Sequence, residues 1–181
     1  MATPGATAYK LFVPKQTVGA SLVYFDLFVA TTSNVRVIVK SVLPIVSTAV
    51  AVTGVVGVDL HLQYTSAIGT GGTAATANGT DIAAATITAL SLGASKLDGG
   101  ITARLTPSGG ATAGALIAYT CVMTEELGAT YLGNPADLVA RNPMSEPITL
   151  VAGFGLRVAQ GTVASVGTIG FEVLFETIPL P

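Results

Sequence analysis

A chain of 181 residues with half its side chains apolar is long enough to bury one sizeable core, yet only 10% of it is charged, against about 25% in ordinary globular proteins. A single Cys excludes an intramolecular disulfide framework and any Cys-based zinc or iron–sulfur site, and a net charge of −2 without basic runs excludes the footprint of a nucleic-acid binder. No membrane span is expected, because the most apolar stretch, Val42 to Leu62, is broken by Pro44, Ser47, Thr48, Thr53, Gly54, Gly57, Asp59 and His61.

The opening MATPGATAYK lacks the basic and apolar regions of a signal peptide, so a soluble, unexported chain is expected. Residues 1–19 carry Pro4, Gly5, Pro14 and Gly19 around the apolar patch Tyr9 to Val13. They read as an extended N-terminal arm with an anchoring patch; a frayed terminus followed by an edge strand is the plainer alternative. From residue 20 onward the period is two. Phe25, Leu27 and Val29 alternate with Tyr24, Asp26 and Phe28, a strand apolar on both faces. Val35, Val37 and Val39 alternate with Arg36, Ile38 and Lys40, and Val58, Leu60, Leu62 and Tyr64 alternate with Asp59, His61 and Gln63. Shorter strands are expected at Ile82–Leu90, Ile101–Leu105, Ala115–Thr124, Ile148–Val151 and Leu156–Gln160. A long one closes the chain, with Ile169, Phe171, Val173 and Phe175 alternating with Gly170, Glu172, Leu174 and Glu176.

Turn signals separate these runs at Thr31–Asn34, Gly69–Gly72, Asn78-Gly79, Asp98–Gly100 and Pro107–Gly110. Residues 69–80, GTGGTAATANGT, form an uncharged loop of small side chains suited to lying close over a surface. One helical turn is possible at Asn134–Ala140, with Asn as cap and Pro135 at the first helical position. The pattern predicts one all-β domain over residues 20–181, a sandwich or barrel. Eighteen charged residues are sparse for a monomer's surface, so burial against copies of itself or a larger assembly is expected. Tyr24, Phe28 and Leu174 are the candidates for self-association, each lying opposite its strand's core face.

The catalytic inventory is thin. His61 is the single imidazole, and Asp59 shares its strand face, an arrangement that can orient a base or offer two metal ligands. An exposed polar face is the plainer reading of the pair, and one His cannot build a two-His site within a subunit. Cys121 lies in an apolar strand with no electropositive neighbour in sequence and is expected to be buried and inert. Glu125 and Glu126 point to opposite faces of a strand end, and Glu172 and Glu176 flank Leu174 without a cleft between them. Gly69-Thr70-Gly71-Gly72 lacks the Lys and the strand–helix context of a phosphate loop. No enzyme activity, cofactor or metal is expected.

The C-terminal third carries a resemblance. Pro147-Ile148-Thr149-Leu150, then Gly153-Phe154-Gly155-Leu156-Arg157-Val158, then Gly167-Thr168-Ile169-Gly170-Phe171-Glu172-Val173-Leu174-Phe175-Glu176, resemble the last hairpins of jelly-roll proteins on tailed-phage particles. Among those, the chain is similar to capsid decoration (cement) proteins and head-fibre domains, over roughly residues 20–178. Leu105–Ala115, with its Pro, Ser, Gly and Thr, has the same character. The resemblance implies a jelly-roll-like antiparallel β-sandwich that forms homotrimers on the capsid exterior and binds the major capsid protein. It also implies an arm reaching along the shell, with Tyr9, Leu11, Phe12 and Val13 as contacts and Lys10 and Lys15 as flanking charges. Deleting residues 1–15 is then expected to abolish capsid binding and leave the fold intact. A trimeric fibre or tail-tip module for host attachment is the alternative, although the first 19 residues offer no heptad stem. A secreted enzyme or lectin on a β-sandwich stands further off.

Overall fold

The structure is a computed structural model; it describes residues 6–46, 53–54, 57–77, 86–90, 100–109, 113–123, 137–140 and 147–181. β-branched side chains fill the period-2 runs, as a pleated surface prefers, and the regular structure among the described residues is all strand. In chain order these are β1 (Thr7–Thr17), β2 (Val23–Val29), β3 (Val35–Val46), β4 (Gly57–Thr65), β5 (Thr73–Ala74) and β6 (Thr76–Ala77). They continue as β7 (Thr86–Ala89), β8 (Ile101–Leu105), β9 (Ala113–Met123), β10 (Ile148–Leu150), β11 (Gly155–Gln160) and β12 (Thr168–Pro179).

Two six-stranded sheets pack as a sandwich, the first in the order β10-β3-β12-β1-β7-β6 and the second in the order β5-β8-β2-β11-β4-β9. Pairing is antiparallel apart from β6 with β7. The first four and the last four strands alternate between the sheets, so β12 lies between β1 and β3 while β11 lies between β2 and β4. Strands β5 to β8 are inserted between β4 and β9 and widen both sheets beyond β1 and β2. Leu11, Val37, Val39, Phe171 and Val173 of the first sheet meet Phe25, Leu27, Leu60, Leu62 and Val158 of the second in one core. Phe171 ties the layers together, its ring centroid 5.4 Å from those of both Tyr24 and Phe25.

Two expectations need correction. Residues 7–17 are not an arm: β1 pairs with β12 on one side and β7 on the other. Tyr9, Leu11 and Val13 are buried in the core, with Tyr9 stacked on Phe175 at 5.4 Å. Pro14 disguised the strand. It sits where the β1–β12 register slips between Val13 and Gln16, a bulge that tolerates a residue without an N–H. Gly170 makes room for it, since a Cβ there would stand 2.7 Å from the Val13 carbonyl oxygen. Residues 1–5 of the expected arm lie outside the described residues.

Nor do Tyr24 and Phe28 offer an outer face for self-association, because β2 is buried on both sides. The β2–β11 register slips between Val23 and Phe25, and this bulge lets Tyr24 and its neighbour Phe25 both face Phe171. Phe28 packs its ring over Gly155.

The turn at residues 137–140 is held by Asp137, whose Oδ1 accepts hydrogen bonds from the N–H groups of Val139 at 2.8 Å and Val42 at 2.9 Å. The Leu138 N–H donates to the Val42 carbonyl at 3.0 Å, so this turn covers β3 beyond the end of β10 and seats Leu138 and Val139 in the core. Asn134–Ala136, the start of the expected helical turn, lie outside the described residues, as do Ile82–Ala85, Glu125 and Glu126.

At the opposite end of β11, Gln160 is 4% exposed and fully engaged. Its Oε1 accepts from the Tyr24 hydroxyl at 2.6 Å and the Gly19 N–H at 2.9 Å, while its Nε2 donates to the Val163 carbonyl and to Ser165 Oγ. Leucine at 160 leaves a buried hydroxyl and a backbone N–H without an acceptor. We expect Gln160→Leu to lower stability by about 2–3 kcal/mol in urea titrations; a loss under about 0.5 kcal/mol would show that the network contributes nothing.

Candidate functional site

Most of the described polar groups with chemical potential lie on the outer face of the second sheet. Strand alternation sends Val58, Leu60 and Leu62 into the core and turns Asp59, His61 and Gln63 outward. His61 Nε2 lies 3.0 Å from Asp59 Oδ2, the pairing their spacing implies. Register then sets Gln63 beside Arg157 and His61 beside Ala159. The Arg157 guanidinium donates through Nε and Nη2 to Gln63 Oε1 at 3.0 and 2.9 Å. Small residues at 159 and 161 sink a cleft of about 330 Å³ between this polar row and a wall of Ser21, Val23 and Thr162.

The Asp59–His61 pair can hold an imidazole in one orientation, but nucleophilic catalysis also needs a hydroxyl or thiol on the imidazole. Among the described residues none is hydrogen bonded to it, and the Tyr119 ring lies beside it, 6.1 Å away at 76°. Nor is there a group of three or more His, Cys, Asp and Glu side chains, among the described residues, placed to share a metal ion.

Cys121 departs from expectation: it is exposed. Thr120 and Val122 take the inward positions of β9, which leaves Cys121 outside with Tyr119.

Asp26 is the buried carboxylate of this face. Its Oδ2 accepts from the Gly69 N–H at 2.6 Å and its Oδ1 from the Arg104 N–H at 3.1 Å, while Arg104 Nη1 donates to the Gly71 carbonyl at 3.0 Å. These contacts lay residues 69–72 over the second sheet, and Gly69 is required there because a Cβ would collide with Pro107 and with Asp26 Oδ2. Burial pushes the Asp26 carboxyl above its usual value of 3.8, opposed by the two N–H donors and the charges of Arg104 and Arg157. Folding therefore favours its protonated form. The stability from this group is fully present below pH 3.8 and is lost as pH climbs through the raised value. We expect the stability of the native chain relative to Asp26→Asn to fall over that climb; a difference that does not change with pH would contradict the assignment.

The residues expected to touch other molecules divide between the core and the outer face of the first sheet, with Lys15 apart. Lys10, Phe12 and Leu174 come together, half-buried or at the edge of exposure, on the outer face of the first sheet, where β1 and β12 pair Lys10 with Leu174 and Phe12 with Glu172. Lys15 is exposed just past the Pro14 bulge. Glu172 and Glu176 share this face and are ion-paired, with Lys10 at 3.6 Å and Lys40 at 3.2 Å; the Lys10–Glu172 pair is open to water and contributes little to stability.

One surface was not anticipated from the sequence. β9 forms an edge of the second sheet, and its Leu116 and Tyr119 are 55% and 60% exposed. Beside its start lies an apolar hollow of about 420 Å³, lined by Tyr64, Gly114, Ala115, Thr149, Val151 and Phe154. Val151 and Phe154 are themselves exposed. Every residue from Ala113 to Met123 is uncharged, a signal visible in the sequence; that this strand ends a sheet is a property of the pairing.

Compared with protein-family models, with curated proteins and with solved structures, the chain matches none.

Proposed function

We propose that the chain is a non-enzymatic virion structural protein, a decoration or cement protein that binds the exterior of a phage head and stabilises contacts between major capsid subunits. The observation that carries this reading is the uncharged β9 edge with its neighbouring apolar hollow. A monomer free in solution rarely leaves such an edge and such a patch open. Two further features support it. The alternation of β1–β4 and β9–β12 between the sheets supports reading the sandwich as a jelly roll of two interlocked Greek keys, the architecture of many capsid proteins. Sparse charge suits a protein that spends its life covered.

With Tyr9, Leu11 and Val13 committed to the core, the capsid contact moves to the outer face of the first sheet, where Phe12 and Leu174 are flanked by Lys10. Stabilisation follows from mass action, because the protein binds the assembled lattice better than free subunits. A fibre-tip or tail-tip role in host attachment is the second reading. The cleft of Asp59, His61, Gln63 and Arg157 favours it, since donors and acceptors beside an exposed tyrosine suit a receptor glycan.

Mixing the protein with empty shells of the virus that encodes it, and pelleting them, separates the two. Saturable pelleting that is lost in Leu174→Asp supports decoration. Absence of pelleting, together with binding to host cells, supports attachment.

A further inference from the structure

A sheet edge is a row of unpaired main-chain donors and acceptors, and proteins ordinarily blunt it with short strands, charge or proline. The two sheets have four edges. Three are formed by β10, β6 and β5, of three, two and two residues. The fourth, β9, is eleven residues long, AGALIAYTCVM, with neither charge nor proline. Among the described residues it pairs only with β4, and Leu116, Tyr119 and Cys121 on it are exposed. Among the described residues its one protection is the bulging of its first half, between Ala113 and Ala118, which leaves Ala118–Met123 as a flat, uncharged edge.

We infer that β9 is the dimer seam: two copies pair their β9 strands antiparallel across a two-fold axis and join their second sheets into one continuous sheet. The partner must be an extended strand, because what the edge offers is main-chain hydrogen bonding. A second copy fits, since a two-fold pairs the strand antiparallel with itself, residues on one side of the axis meeting those on the other, and the strand has no charge to repel itself. A three-fold ring would instead need β9 to pair with a different edge of the next copy, and the other edges, of two or three described residues, are too short to answer the stretch Ala118–Met123. The two-fold therefore replaces the homotrimer that the phage resemblance implies.

Two bulges in β9 fix how the seam is read, one between Ala113 and Leu116 and one between Leu116 and Ala118. Pairing with β4 passes from Leu62 opposite Ala118 to Gln63 opposite Leu116, leaving Ile117 without a partner and Ala118–Met123 as the regular stretch. In that stretch Tyr119 and Cys121 face outward while Ala118, Thr120 and Val122 face the core. A two-fold centred in that stretch and keeping these faces matched has its axis at Thr120 or Cys121, which places Cys121 diagonal to itself or opposite itself across the seam.

The inference deepens the assembling role proposed above and rests on that reading for where the dimer is used. Its test uses the full chain. Light scattering should give twice the chain mass of 18.1 kDa, and a short bis-maleimide should link Cys121 to Cys121 in high yield. Tyr119→Lys and Tyr119→Glu should each return the mass to that of one chain with unchanged circular dichroism, and mixing the two variants should restore the dimer. A monomer at every concentration, a trimer, or a dimer that neither cross-links nor responds to Tyr119→Lys would overturn it. The cross-link on the unaltered chain decides the matter even where a variant fails to fold. A dimer that does not pellet with shells would uphold the seam and remove decoration as its purpose.

Discussion

A chain lacking residues 1–15 should not fold. The deletion takes nine of the eleven residues of β1 out of the interior of the first sheet, exposing one side of β12 and leaving β7 with only its short pairing to β6 among the described residues. Tyr9, Leu11 and Val13 leave the core with it. Each such side chain contributes about 1.5–3 kcal/mol when fully buried, and their sum rivals the whole stability of an ordinary domain, about 5–15 kcal/mol. Far-ultraviolet circular dichroism and thermal melting of the truncated chain check this. Loss of the cooperative transition is expected; a native-like spectrum with a sharp melt would show that residues 7–15 are dispensable and restore the idea of a free arm.

Phe171→Ala should be the most damaging single truncation in the core. Phe171 is wholly buried, paired with Val13 on β1 and Pro44 on β3, and its ring is the common neighbour of Tyr24 and Phe25 across the sandwich. Removing it leaves a cavity between the layers that both flanking strands hold open, and a loss of about 3–5 kcal/mol is expected. Urea unfolding measures it directly. A loss below about 1.5 kcal/mol would mean that the sheets close over the gap and that Phe171 is not the tie between them.

Most of the strands were legible in the sequence, because their signal is local. The alternation at Val58–Tyr64 and Ile169–Glu176 fixes both element and inward face, and Ile101–Leu105 has the bounds expected of it. β1 was legible only as the edge-strand alternative to an arm, not as an interior strand, for an equally local reason. Pro14 and Gly19 interrupt a run whose Tyr9–Leu11–Val13 alternation is otherwise clear, and the bulge that accommodates Pro14 depends on Gly170, distant in sequence. Tyr24 misled in the same way, since a bulge turns it toward the core its alternation points away from.

The candidate site was half legible. Asp59, His61 and Gln63 follow from period two, and their pairing is local. The cleft beside them is not, because its floor comes from Ala159 and Gly161 and its far wall from Ser21 and Val23, brought together by the register of β11 with β4 and β2. The β9 seam is the extreme case. Its uncharged composition is plain in the sequence, but its meaning comes from which strand ends the sheet, and a single chain's pattern does not encode sheet order.

The claim that the protein cements a phage head is tested most directly by the heat stability of shells with and without it. If it binds the assembled lattice in preference to free subunits, protein at 100 times its dissociation constant stabilises each site by about 2.7 kcal/mol. Shells saturated with the native chain should then disrupt at a higher temperature than bare shells, and shells mixed with Leu174→Asp should behave as bare. Bound protein that leaves the disruption temperature unchanged would contradict the cementing role.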